Sequence, residues 1–139
     1  MLSTIEKVII LRGVAIFSDI PEEELAKLAV LAEEEEFTPH EAIIQKGEMG
    51  TCMYIVVNGK VRVHDGEKTI VELADREVFG EMAALDPEPR SADVTAIQET
   101  LTLRIDQEPL MELVSENAGF LQRIVSFLCN RIRADLARM

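Results

Sequence analysis

Phe79-Gly80-Glu81-Met82-Ala83 and, nine residues after Glu81, Arg90-Ser91-Ala92-Asp93-Val94 put a helix start, one acid and one arginine within reach of the same small anion. Gly80 ends the apolar approach Val78-Phe79 and opens Glu81 to Leu85, a run of good helix formers. The first N–H groups of such a segment lack intrahelical partners and suit an anion. Arg90 arrives from the loop Asp86-Pro87-Glu88-Pro89, which cannot continue the helix, and offers a planar fork that fits a phosphate. A carboxylate beside a phosphate is repulsive unless it has another task. Glu81 acquires one by accepting hydrogen bonds from a sugar hydroxyl, because an ionised carboxylate only accepts. Phosphate and ribose side by side describe a nucleotide.

At these residues the chain resembles the cyclic nucleotide-binding domain family, whose phosphate-binding cassette reads roughly Phe-Gly-Glu-(Leu/Met)-Ala-Leu, a short loop, then Arg-(Ala/Ser/Thr)-Ala-(Thr/Ser)-Val. Upstream, Lys46-Gly47-Glu48 with Gly50, and then Met53 to Val63 around Asn58-Gly59, look like that family's glycine-marked strands. The resemblance implies that Glu81 binds the ribose 2′-hydroxyl and Arg90 the cyclic phosphate of cAMP or cGMP. It also implies that the backbone around Gly80, Ala83 and Ala92 donates to phosphate oxygens, that Ser91 brings a hydroxyl near phosphate and base, and that Phe79, Met82 and Val71 belong to the pocket. The chain departs from the pattern at Asp93, where Thr or Ser is common, and at Thr51, where Asp is common. His40 replaces a turn glycine, which points to a non-glycine residue in a turn conformation. Asp86 and Glu88 add negative charge that an anionic ligand would feel.

The elements that must hold this cassette are legible in part. Ser3 and Glu6 form a capping box, Ile5, Val8 and Ile9 share a face, and Gly13 suits a left-handed cap, which predicts a helix over 4–12. Pro21 and the acids Glu22, Glu23 and Glu24 start a second helix predicted to run to about Glu34, with Leu25, Leu28 and Ala29 buried. The acidic run Glu33 to Glu36 reads as a solvated helix end leading into a strand. Strands are predicted over 42–45, 53–57, 60–64, 68–73, 92–96 and 100–105. Asn58-Gly59 and Asp65-Gly66 are read as hairpin turns between them. Short strands with such punctuation give a mainly β fold, a jelly roll or double-stranded β-helix, flanked by helices and interrupted by the cassette helix. Helices return over 109–114 and 117–138. We divide the chain into N-terminal helices (1–36), the β roll (37–106, with the cassette at 79–94) and C-terminal helices (107–139), one domain in all.

In the last helix Leu121, Ile124, Val125, Leu128, Ile132 and Leu136 recur at helical spacing, and Phe120, Phe127 and Arg131 widen the face beyond what one side of a small domain needs. Either the helix packs back on its own barrel, or part of the stripe is a homodimer seam or a lid over the ligand. As a lid it would bring Arg131 or Asp135 to the base edge.

The 139 residues suffice for one domain with a core, and the mix of 47% hydrophobic and 29% charged residues is that of a globular chain. The net charge of −12 argues against contact with nucleic acid or an anionic membrane. No run is long enough to span a bilayer, and a cytoplasmic location is expected. Related sensors often carry a DNA-binding helix-turn-helix, for which no residues are expected here. Cys52 and Cys129 show no metal or redox spacing and are expected as reduced thiols in apolar surroundings. His40 and His64 form no ligand-spaced group, so neither a metal, a cofactor nor catalysis is expected. Tyr54 is expected in the core. Two functions remain: a non-catalytic cyclic nucleotide sensor whose ligand moves the C-terminal helices, or a relative that keeps the fold and serves as a ligand-free docking or dimerisation module.

Overall fold

A computed structural model describes residues 1–138, with only the backbone of Met82. Its first helix, α1 (Thr4–Arg12), starts at the capping box: the Glu6 N–H donates to the Ser3 hydroxyl oxygen at 3.1 Å, and the Ser3 N–H donates to the Glu6 carboxylate at 3.0 Å. Gly13 is not a left-handed cap. Its φ is −77° and its backbone right-handed; the chain turns extended only at Val14, before a 3₁₀ turn at Ala15–Phe17. Helix α2 (Glu22–Leu31) begins after Pro21 with three acids against its positive end.

Helix α2 stops at Leu31 rather than near Glu34. Glu33–Phe37 is strand β1, paired antiparallel with β10 (Thr100–Asp106). The N-terminal helical segment therefore ends before Glu36. Glu33 and Glu36 are exposed, as a solvated run would be, whereas Glu34 accepts from the Leu2 N–H at 2.9 Å and Glu35 pairs with Arg104 at 3.4 Å.

The remaining elements are β2 (Ala42–Ile44), β3 (Met49–Gly50), β4 (Cys52–Asn58), β5 (Val61–Asp65), β6 (Lys68–Leu73), β7 (Val78–Phe79), α3 (Glu81–Leu85), β8 (Glu88–Pro89), β9 (Asp93–Ala96), α4 (Gln107–Glu116) and α5 (Ala118–Ala137). One sheet runs β1-β10-β4-β7, a second β2-β9-β5-β6, and β3 pairs with β8 alone. All pairings are antiparallel, which is the expected jelly roll with helices at both ends of the chain. Asp65-Gly66 does turn the β5–β6 hairpin. Asn58-Gly59 does not make a hairpin, since β4 and β5 lie in different sheets. It is the corner where the chain changes sheet. Gly59, at φ 119°, passes so close to the β10 entry that a Cβ would sit 2.6 Å from the Glu99 carbonyl oxygen.

Strand β4 explains how the two layers share one backbone. Successive side chains of a strand point to opposite faces. Cys52, Tyr54 and Val56 enter the interior of the roll with Ile44, Val61, Phe79 and Val94. Met53 and Ile55 face the other way, with Leu103 and Ile105 of β10, into a core closed by α1, α2, α4 and α5. In that second core Phe17 and Phe120 stack at 5.4 Å and fasten the start of α5. Such a contact adds about 0.5–1.5 kcal/mol beyond the area it buries. Tyr54 is buried as expected and stacks on Phe79 at 5.1 Å; burial first, then the Cys52 side chain nearby, raises its phenol pKa. Among the described residues no helix is long and apolar enough to cross a membrane.

Candidate functional site

The mouth of the roll holds a cavity of about 690 Å³. Phe79, Gly80, Glu81, Ala83, Arg90, Ser91 and Ala92 line it from the cassette, Val71 from β6, and Arg131 and Asp135 from α5. Residues far apart in the chain thus share one space. The side chain of Met82, also expected in the pocket, lies outside the described residues.

Arg90 is placed by backbone on every side. Its N–H donates to the Glu48 carbonyl at 2.7 Å, and its own carbonyl accepts from the Gly47 N–H at 2.9 Å. These bonds extend the short β3–β8 ladder, whose partners are Met49 with Pro89 and Gly50 with Glu88. The guanidinium then donates from Nη1 to the Gly80 carbonyl at 3.1 Å and from Nη2 to the Cys52 carbonyl at 2.8 Å, with Cys52 Sγ at 3.5 Å. Two glycines make room for it. A Cβ on Gly50 would lie 2.6 Å from Arg90 Cζ, and one on Gly80 would lie 2.7 Å from Nη1. Gly80 also has φ 77°, a conformation that side chains disfavour. Among the described residues no carboxylate pairs with Arg90. Its charge is held on neutral carbonyls, where an anion finds it available.

Glu81 opens α3 and is 3% exposed. A carboxylate so far from water needs a partner, and Arg131 of α5 supplies it through an ion pair with Glu81 Oε1. The Arg131 guanidinium also lies 5.9 Å from the Phe127 ring centroid, a cation–π distance. One turn further on, Asp135 pairs with Arg138 of its own helix. Arg76, Arg90, Arg131 and Arg138, four of the 14 basic residues in a chain of net charge −12, line this one cavity. Five carboxylates, Glu77, Glu81, Asp86, Glu88 and Asp135, line it as well, of which Glu81 pairs with Arg131 and Asp135 with Arg138. Asp93, whose charge stood out in the sequence, is occupied as a backbone cap and accepts from the Lys46 N–H at 2.9 Å. Ser91 is exposed at the rim.

Three contributions were not read from the sequence. Cys52 is buried but sits under the Arg90 guanidinium rather than in purely apolar surroundings. Phe127 and Ile70 add apolar lining to the cavity. Arg76 lines the cavity from a loop position with φ 70°, and no local pattern marks it. The histidines lie elsewhere: His64 bonds within the β5–β6 turn and to Thr95 at 2.8 Å, and His40 occupies the anticipated turn conformation at φ 71°. Among the described residues no group of three or more His, Cys, Asp or Glu is placed to hold a metal.

The sequence model of the cyclic nucleotide-binding domain matches residues 34–117, more than half of the chain. Human cGMP-dependent protein kinase 2 is 30% identical over 92% of this chain, which spans 18% of the kinase. The cyclic AMP receptor protein of Thermus thermophilus is 30% identical over 91% of this chain, which spans 61% of that protein. The crystal structure of the Thermus thermophilus catabolite activator protein superposes with a TM-score of 0.78 at 27% identity, covering 88% of this chain and 61% of that one. This chain is thus shorter than any of these relatives. The roll, the cassette within it and the match across both make the chain a member of the cyclic nucleotide-binding domain family of regulatory modules.

Proposed function

We propose that this chain is a non-catalytic sensor that binds a cyclic nucleotide, cAMP or cGMP, between Glu81 and Arg90 and answers by moving α5. The observation that carries the reading is the Arg90 guanidinium, seated on neutral carbonyls in a cavity whose opposite polar group is a buried carboxylate. The phosphate takes the outward side of the Arg90 fork, and the ribose 2′-hydroxyl donates to Glu81. The base lies toward Val71 and α5. cAMP is taken first because the similar Thermus protein is a cyclic AMP receptor. Helix α5 responds because it supplies cavity wall through Phe127, Arg131 and Asp135, and a ligand shifts an equilibrium only through contacts that differ between its two states. The sensor acts in the cytoplasm, without touching nucleic acid or membrane itself. Leu121, Val125, Ile132 and Leu136 stay exposed on α5 and would serve as a homodimer seam.

The Glu81–Arg131 pair favours one other reading. A site whose carboxylate is already satisfied suits a ligand-free docking or dimerisation module. Calorimetric titration of Arg90→Ala and Ser91→Ala beside the parent chain separates the two. A charge-assisted contact is about twice as strong as a neutral one, so Arg90→Ala should lose much more affinity than Ser91→Ala. Equal losses would remove Arg90 from the phosphate.

A further inference from the structure

We propose that Asp93 is a positioning residue for Arg90: by holding the Lys46 N–H it fixes the turn on which the Arg90 backbone is mounted, and so sets where the guanidinium meets an anion. This rests on the phosphate role proposed above for Arg90 and adds a residue that governs it. Asp93 stands where the family commonly has Thr or Ser, so the carboxylate is a feature of this chain. Three residues from Arg90, a free carboxylate would repel an anionic ligand. This one is engaged elsewhere. Val94 packs inside the roll, so the neighbouring Asp93 side chain points out of it.

The strands around Asp93 show how it acts at a distance. The β2–β9 ladder ends at the pair Ile44 with Val94. Asp93 still pairs with His64 of β5, but on the β2 side the chain leaves at Gln45 for a tight turn, in which the Glu48 N–H donates to the Gln45 carbonyl at 3.2 Å and Gly47 has φ 92°. Asp93 meets that turn with its side chain, Oδ1 accepting from the Lys46 N–H at 2.9 Å. The next two residues grip Arg90: the Gly47 N–H donates to its carbonyl, and the Glu48 carbonyl accepts from its N–H. Arg90 and Asp93 thus bind the successive residues Lys46, Gly47 and Glu48. Between them Ser91 and Ala92, which line the cavity, are bracketed at both ends. The turn's other side-chain tie, Lys46 Nζ to Asp65 at 3.1 Å, is exposed on both sides, and such a pair holds little. A turn freed at Lys46 would let Arg90 wander, and ordering it again on binding costs affinity.

The test is calorimetric titration with cAMP and cGMP of the full chain and of Asp93→Ala, Asp93→Asn, Lys46→Pro and Lys46→Ala, each with its Tm. Asp93→Ala leaves the Lys46 N–H without its acceptor and should weaken binding about three- to tenfold. Asp93→Asn keeps an oxygen there without the charge and should restore parental affinity. Lys46→Pro removes the donor at a turn position that suits proline and should match Asp93→Ala, whereas Lys46→Ala, which loses only the exposed pair with Asp65, should not. Should Asp93→Ala fail to fold, Lys46→Pro against Lys46→Ala decides. Folded Asp93→Ala that binds as tightly as the parent, or more tightly, would overturn the positioning role and leave the pocket standing, whatever its Tm. A loss in Asp93→Asn equal to that in Asp93→Ala would overturn it too, because the charge rather than the bond would then matter. No binding of either nucleotide by the parent chain would overturn the phosphate role of Arg90 and this inference together.

Discussion

Replacing Gly80 by alanine asks whether the backbone bend and the arginine fork are a single device. At φ 77° the new side chain is strained, at a cost of about 1–3 kcal/mol. Its Cβ would also lie 2.7 Å from Arg90 Nη1 and 3.2 Å from the Cys52 carbonyl oxygen. The guanidinium must then move and give up its bond to the Gly80 carbonyl, and a hydrogen bond to a charged group contributes about 1.5–3 kcal/mol. Gly66→Ala is the control, because Gly66 has φ 60° with nothing within 4 Å of a Cβ. It carries the strain without the clash. Gly80→Ala should therefore be the less stable by about 2 kcal/mol, or about 8 °C in Tm for a domain of this size. It should also bind ligand about tenfold or more weakly, while Gly66→Ala binds normally. Thermal unfolding and calorimetry of the two variants are the assays. Equal Tm values, or intact binding in Gly80→Ala, would show that Gly80 serves the turn alone and that Arg90 is held by something else.

Glu81→Gln should weaken cAMP more than its 2′-deoxy analogue, measured by parallel titration; equal losses would take Glu81 away from the ribose. A pH dependence should appear at the start of α1. Bonds from the Ser3 backbone, and next from its hydroxyl, hold the Glu6 carboxyl below its ordinary value of 4.5. Because the folded-state pKa is the lower one, this stabilisation is complete above 4.5 and is lost as pH falls through the depressed value. The Tm difference between the parent and Glu6→Gln should hold at neutral pH and shrink in acid. A difference that persists in acid would contradict the capping account.

What could be read from the sequence divides by the range of the interactions involved. The capping box of α1, the Asp65-Gly66 hairpin and the five-residue cassette helix are set by neighbours in the chain, and the structure has all three. Strand β1 was misread because its residues, Glu33 to Glu36, have no apolar alternation. What makes it a strand is β10, which lies 67 residues away at the Thr102-to-Glu35 hydrogen bond. Asn58-Gly59 has the composition of a hairpin turn, yet composition does not reveal that the next strand joins a different sheet. The two-residue strands β3, β7 and β8 are too short to show a period. At the site, the types and spacing of Glu81 and Arg90 suggested their chemistry. The Arg131 partner of Glu81 and the Cys52 carbonyl under Arg90 depend on tertiary approach, which leaves no mark in a local pattern.

The central claim is that this cavity takes a cyclic nucleotide, and calorimetric titration tests it most directly. Purified chain, stripped of carried-over nucleotide by unfolding and refolding, would be titrated with cAMP, cGMP and 5′-AMP. The account predicts saturable binding of one cyclic nucleotide per chain, with 5′-AMP much weaker. Silence with both cyclic nucleotides in a folded sample, or uptake that does not distinguish them from 5′-AMP, would contradict it.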